Sequence, residues 1–159
     1  MNTLFTLIRS LFYATCFIGF FGWLANSLRI YDLYFGLFPE GVRIPGLIIM
    51  VIGLIFALSC VLTFVFRGKG TPALFDPPRE FVPLGPYRYC RNPMYIGGLT
   101  ALFGFGLFHR SISILIFFLF LLFFMHLFVI FIEEPGLKKR FGESYENYLC
   151  TVNRWLPKF

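Results

Sequence analysis

The chain has 159 residues, of which 58% are hydrophobic and only 14% charged, with 24 phenylalanines and a formal net charge of +6. A soluble domain is about a quarter charged and no more than about half apolar, and one of this size cannot bury so many phenyl rings. The composition excludes an ordinary cytosolic domain, a disordered chain and a disulfide-stapled secreted module, and leaves a membrane protein of one domain, 1–159.

A bilayer-crossing helix needs about 20 mainly apolar residues. The first such run is 10–28, with Arg9 before it. It is long for a signal peptide, and Asn26-Ser27-Leu28-Arg29 is a poor cleavage site. The second, 46–66, is uncharged and opens after Pro45, which suits a first helical turn. The loop 67–93 follows, with Pro72, Pro77, Pro78, Pro83, Pro86 and Pro93. Such a segment cannot be a regular helix or a central strand. Its polar and aromatic residues (Asp76, Arg79, Glu80, Tyr87, Arg88, Tyr89) predict an ordered cap over the helix ends. The third span, 94–108, has fifteen residues, about 22 Å of helix against a hydrocarbon core of about 30 Å. The fourth is 111–132, with His126 as its only ionisable residue, and His109 and Arg110 make a tight hairpin between the two. In the tail, Leu137, Phe141, Tyr145, Tyr148 and Val152 share one helical face. The predicted fold is therefore all-α and integral to the membrane. Four transmembrane helices carry a proline-rich cytoplasmic cap loop and a C-terminal amphipathic helix, lying on the membrane surface or under the cap.

Four spans place both termini on one side. Eleven of the fourteen basic residues then share a face, in Arg9, the loop and the tail, while Arg29, Arg43 and Arg110 lie opposite. The positive-inside rule makes the termini, loop and tail cytoplasmic. This topology absorbs the positive charge, so no nucleic-acid partner is needed. Cys16, Cys60, Cys90 and Cys150 form no zinc or disulfide pattern, and no metal site is expected.

Two polar clusters carry the chemistry. One runs from Gly85 to Gly98, and includes Tyr87, Arg88, Arg91, Asn92, Tyr95 and Gly97. Pro93 suits the first turn of the third helix and Asn92 its N-cap. With Arg88 and Arg91 beside it, that helix start is an anion-binding arrangement. The other cluster is Glu133-Glu134-Pro135, directly after the fourth span. Two acids ending a helix oppose its dipole. A cation has to meet them: a tail lysine, an arginine of the cap, or a cationic ligand. Counted from the hairpin turn, His126 lies level with Pro93. Glu133, seven residues on, falls on nearly the same face as His126, about 10 Å toward the cytoplasm. A groove lined by Tyr95, His126 and Glu133 suits an extended ligand of nucleoside size. Gly97, Ala101 and Gly104 form a small-residue stripe that allows close helix packing within the hairpin.

The runs Thr71-Pro72-Ala73, Asp76-Pro77-Pro78-Arg79, Gly85-Pro86-Tyr87-Arg88-Tyr89, Arg91-Asn92-Pro93-Met94-Tyr95-Ile96-Gly97 and Glu133-Glu134-Pro135 resemble the isoprenylcysteine carboxyl methyltransferase family, as do Arg140-Phe141-Gly142 and Arg154-Trp155. Phospholipid N-methyltransferases share the Asn-Pro-Met-Tyr and Glu-Glu-Pro elements more distantly. The resemblance covers about the last 90 residues. It implies an integral membrane methyltransferase that uses S-adenosylmethionine, bound by 71–159, without a Rossmann-type fingerprint. By that resemblance Tyr87, Arg88, Arg91, Tyr95, Gly97, Glu133 and Glu134 hold the cofactor, and Arg91, Asn92 and His126 serve catalysis. The acceptor is a lipid-like or prenylated small molecule entering from the lipid bilayer. Asn92 stands where many isoprenylcysteine enzymes have His. Asn is common among bacterial relatives and in the phospholipid enzymes, so a phospholipid amine stands as the second acceptor behind a prenylated thioether carboxylate, and the expected location is a bacterial inner membrane.

Overall fold

The computed structural model describes residues 3–35, 37–63, 65–66 and 83–157. The described residues are helical apart from turns and one isolated bridge. Helix α1 (Thr3–Ser27) leads through a 3-10 turn (Leu28–Tyr31) into a single turn, α2 (Asp32–Phe35). Helix α3 (Arg43–Thr63) returns, and a 3-10 turn (Gly85–Arg88) precedes α4 (Pro93–Phe108). Helix α5 (Ile112–Phe128) continues through a π-turn (Val129–Glu133) into α6 (Glu134–Phe141), and α7 (Glu143–Thr151) follows. Among the described residues, three runs are long and apolar enough to cross a membrane: Phe5–Phe35, Glu40–Thr63 and Ile112–Phe141. Helix α4 is apolar but shorter. Large side chains such as Phe12, Ile55 and Phe123 are exposed on these helices, as lipid contact requires and water contact does not. Most of the proline-rich cap, with Pro72, Asp76, Pro77, Pro78 and Arg79, lies outside the described residues.

The small-residue stripe on α4 faces α3, and this corrects the expected role within the α4–α5 hairpin. A Cβ on Gly104 would stand 2.3 Å from the Met50 backbone nitrogen, and one on Gly53 would stand 2.4 Å from that of Ala101. A Cβ on Gly97 would meet the Ala57 nitrogen at 2.7 Å. Backbones this close pack without intervening side chains, the usual means of helix association in lipid. The hairpin itself is closed by Arg110, whose φ of 60° is left-handed. Its Nε donates to the Phe38 carbonyl at 2.6 Å and its guanidinium meets Glu40 at 3.0 Å. Ser111 caps α5 by accepting from the Ile114 N–H, and Asp32 accepts from the Ser113 N–H.

Two features of the C-terminal third differ from expectation. First, the helix does not stop at the acid pair. Pro135 has no N–H to donate back along the helix, and its ring crowds the carbonyl four residues earlier. The preceding turn widens to a π-turn, in which the Glu134 N–H reaches the Val129 carbonyl, and the helix goes on to Phe141. Second, the tail is not one amphipathic helix. It breaks at Gly142, whose φ of 55° and ψ of −133° suit glycine alone. The break turns Tyr145 and Tyr148 of α7 inward, and both are buried.

Candidate active site

The site is assembled where the tail crosses the start of α4 and the π-turn. The segment after α7 lies against residues 91–92: the Arg91 N–H donates to the Asn153 carbonyl at 2.9 Å. The Asn92 side chain donates through Nδ2 to the Arg154 carbonyl at 3.1 Å. Asn92 therefore does not cap α4 with its side chain, as its position had suggested; buried, it ties that helix start to the tail. The Tyr148 hydroxyl donates to the Tyr87 carbonyl at 2.5 Å and fixes the 3-10 turn from the other side.

Glu134 stands at the centre. Arg91 approaches its Oε1 at 3.0 Å, and Arg154 grips it with both prongs, Nε to Oε1 at 2.8 Å and a terminal nitrogen to Oε2 at 2.9 Å. Planar, two-pronged pairing of this kind is what guanidinium offers and ammonium does not. The cations expected at the acid pair are thus Arg91 of the cap and Arg154 of the tail, and both meet Glu134. Arg91 in turn finds its anion in Glu134. Tyr145 lies beside both Arg91 and Glu134, and burial pushes its phenol up to about 12. Tyr148 shifts in the same direction, also by burial, and the bond to Glu134 raises Arg154. Burial raises Tyr87 well above the ordinary phenol range, with Glu133 and Tyr95 among the neighbours that reinforce it.

Glu133 points elsewhere. Its Oε2 accepts from the Tyr95 hydroxyl at 2.9 Å. His126 meets a different partner, since its Nδ1 accepts from the Trp155 indole N–H at 2.9 Å. The π-turn explains the separation. One extra residue per turn rotates everything beyond it by about 100° relative to a regular helix. Glu134, not Glu133, is thereby returned to the His126 side, and consecutive tail residues Arg154 and Trp155 grip Glu134 and His126. The expectation that Glu133 and His126 share a face is corrected accordingly.

Tyr87, Arg91, Asn92, Tyr95, His126, Glu133 and Glu134 are all drawn into this network or its immediate neighbourhood. Arg88 is exposed. Gly97 is filled by Ala57 of α3, so its close approach is to a helix rather than to a ligand. The sequence reading did not assign Arg154, Trp155, Tyr145 or Tyr148 to the site. A signal was present: two tyrosines three residues apart on a short polar helix offer more hydroxyls than a surface helix needs. Arg91 Nε is buried and without a hydrogen-bond partner among the described residues, an unspent donor beside the centre of the network.

A family model described as phospholipid methyltransferase matches residues 42–144. The chain belongs to the phospholipid methyltransferase family. Family membership and the three long apolar helices make it an integral membrane protein of a methyltransferase family. The matched stretch contains Tyr87, Arg91, Asn92, Tyr95, His126, Glu133 and Glu134 and ends just before Tyr145, so the tail residues that complete the network lie beyond it. No curated protein and no solved structure matches the chain.

Proposed function

We propose that this family member transfers a methyl group from S-adenosylmethionine to a lipid-like acceptor that reaches the site from the bilayer. The observation that carries the reading is the half-buried cluster of Arg91, Glu134 and Arg154 with Tyr95–Glu133 beside it. S-adenosylmethionine supplies a sulfonium-bound methyl group, an electrophile open to in-line attack. The chain's residues fit its remaining groups. The buried Nε of Arg91, without a partner among the described residues, suits the carboxylate. Glu133, with a tyrosine hydroxyl on one oxygen, suits an ammonium or the ribose hydroxyls. Tyr87 and Tyr95 offer ring faces for adenine. Burial of these groups excludes water, and positioning with water exclusion supplies much of the rate in such displacements.

Two acceptor classes are in question. A phospholipid amine is supported by the family match; a prenylated thioether carboxylate is supported by the motif resemblance. An amine must first lose a proton, and Glu133, bonded to the Tyr95 hydroxyl rather than to an arginine, is the carboxylate of the acid pair suited to take it. A carboxylate acceptor needs no base. The arrangement in the membrane belongs to the same proposal. Helix α4 is the fourth crossing, shortened because its start is drawn in toward the site. The eleven-to-three split of basic residues supports both termini and the site lying on the cytoplasmic face.

The test is transfer of labelled methyl from S-adenosylmethionine by purified protein in nanodiscs, with phosphatidylethanolamine and a farnesyl-cysteine analogue as parallel acceptors. Binding of S-adenosylhomocysteine is followed separately by thermal stabilisation. Stabilisation of the wild type that falls in Glu133→Gln supports the site. No stabilisation and no label in any lipid overturns the proposal.

A further inference from the structure

A cavity of about 310 Å³ lies beside the network, lined by Leu119, Leu122, Phe123, His126 and Trp155. Leu119 and Phe123 are 61% and 63% exposed on α5, within a run apolar enough to cross the membrane. In a bilayer this opening faces hydrocarbon, not water. The groove runs along α5 from Leu119 to His126, about 10 Å. It ends at Trp155, whose preceding residue, Arg154, grips Glu134. It therefore adjoins the residues of the proposed site. Tryptophan is favoured at the headgroup boundary, so the closed end sits at the depth where phospholipid acyl chains meet their ester carbonyls.

The polar end of the groove is chemically defined. Because His126 Nδ1 accepts from the Trp155 indole, the neutral imidazole carries its proton on Nε2. His126 is thereby a hydrogen-bond donor whose basic nitrogen is already engaged. A groove of leucine and phenylalanine ending in one neutral donor matches a hydrocarbon chain ending in one carbonyl acceptor.

We propose that this groove holds an acyl chain of the phospholipid acceptor, with His126 donating to the ester carbonyl and Trp155 acting as the positioning residue that fixes the imidazole. The inference rests on the lipid methyltransferase reading and assigns the place where the acceptor's tail is bound.

The chain has two tryptophans, so Trp23→Phe leaves Trp155 as the single reporter at the groove. In phosphatidylglycerol vesicles doped with dibrominated-acyl phosphatidylethanolamine, quenching of Trp155 should saturate at low mole fraction. Ordinary boundary lipid quenches in proportion to mole fraction instead. The groove-filling variant Leu122→Phe should lose the saturable component and raise KM for phosphatidylethanolamine about tenfold, the effect of denying burial to a few methylenes. Stabilisation by S-adenosylhomocysteine should stay unchanged in it. His126→Gln, which keeps a donor, should retain more saturable quenching than His126→Phe. Methyl transfer with only proportional quenching removes the groove and leaves the methyltransferase. Saturable quenching without methyl transfer to any lipid removes the methyltransferase reading and leaves a lipid-binding groove. Quenching that is identical in wild type and Leu122→Phe overturns the assignment.

Discussion

Glu134→Gln tests the centre of the network with almost no change of shape. The carboxylate is 15% exposed and Arg91 12%, with Arg154 at 29%. Three charged contacts of 2.8 to 3.0 Å end on it. A hydrogen bond to a charged group contributes about 1.5–3 kcal/mol, and a neutral one about 0.5–1.5. Gln keeps one acceptor oxygen, so two of the contacts weaken and the third, which would meet the amide NH2, is lost. Together this costs at least about 3 kcal/mol, at the low end of what is lost when one partner of a buried pair is removed. That is a factor of about 150 in an equilibrium. The loss should appear locally, because Arg154 is a charged anchor of the segment after α7, which is otherwise held by neutral bonds such as Arg91 to Asn153, Asn92 to Arg154 and Trp155 to His126. In a Trp23→Phe background, Glu134→Gln should therefore release Trp155, read as greater acrylamide quenching and faster proteolysis after Arg154. Glu133→Gln weakens a single bond from Tyr95, costs about 1 kcal/mol, and should leave the tail in place. Equal tail release in the two variants, or none in Glu134→Gln, would refute the assignment of separate tasks to the two acids.

Three further outcomes follow from the same geometry. Gly104→Ala forces a methyl against the Met50 backbone and should lower stability by about 1–3 kcal/mol; Gly98→Ala, with nothing within 4 Å, should be neutral or slightly stabilising in the same thermal assay. Burial holds Tyr145 at about 12 against an ordinary value of 10. A raised folded pKa gives stability that is complete below the unfolded value and lost as pH rises through the folded one, so the melting temperature should fall between pH 10 and 12, less steeply in Tyr145→Phe. An unchanged slope in that variant would remove Tyr145 as the source. Finally, a membrane-impermeant maleimide should reach Glu40→Cys, at a position where the side chain is 84% exposed, from outside the cell, and the native exposed Cys150 only after permeabilisation. The reverse pattern overturns the topology.

The helices were legible because hydropathy alone specifies a bilayer-crossing run, and the hairpin because two polar residues cannot lie in its middle. Arg91, Asn92 and the acid pair were legible as oddities: charge and capping groups in places where a plain membrane helix has no use for them. What they touch was not legible. Asn92 reads locally as an N-cap, yet its side chain serves a carbonyl 62 residues away. Local propensity gives no hint of a partner that distant. The glycine stripe was read as packing, but the choice between α3 and α5 as its neighbour depends on which helix presents its own glycines at matching height. Gly46 and Gly53 do so on α3. The tail misled because its apolar spacing is continuous through Gly142, while the backbone there is not.

Pro135 links these observations. In a regular helix, Glu133 and His126 would share a face, and Glu134 would point about 100° away from them. The two acids would then compete for one set of partners, or one would be left to lipid. By withholding an N–H at the membrane boundary, Pro135 opens the turn that precedes it, and π-turns of this kind recur at functional sites. The widened turn sends Glu133 to Tyr95 on α4 and Glu134 to the arginines. One acid then holds the tail, and the other is left with a single hydroxyl partner and the capacity to receive a ligand. A pair of like charges side by side becomes a structural group and, in the proposed function, a binding group. The change depends on the residue that follows them, so the functional unit is the Glu-Glu-Pro run rather than the acid pair.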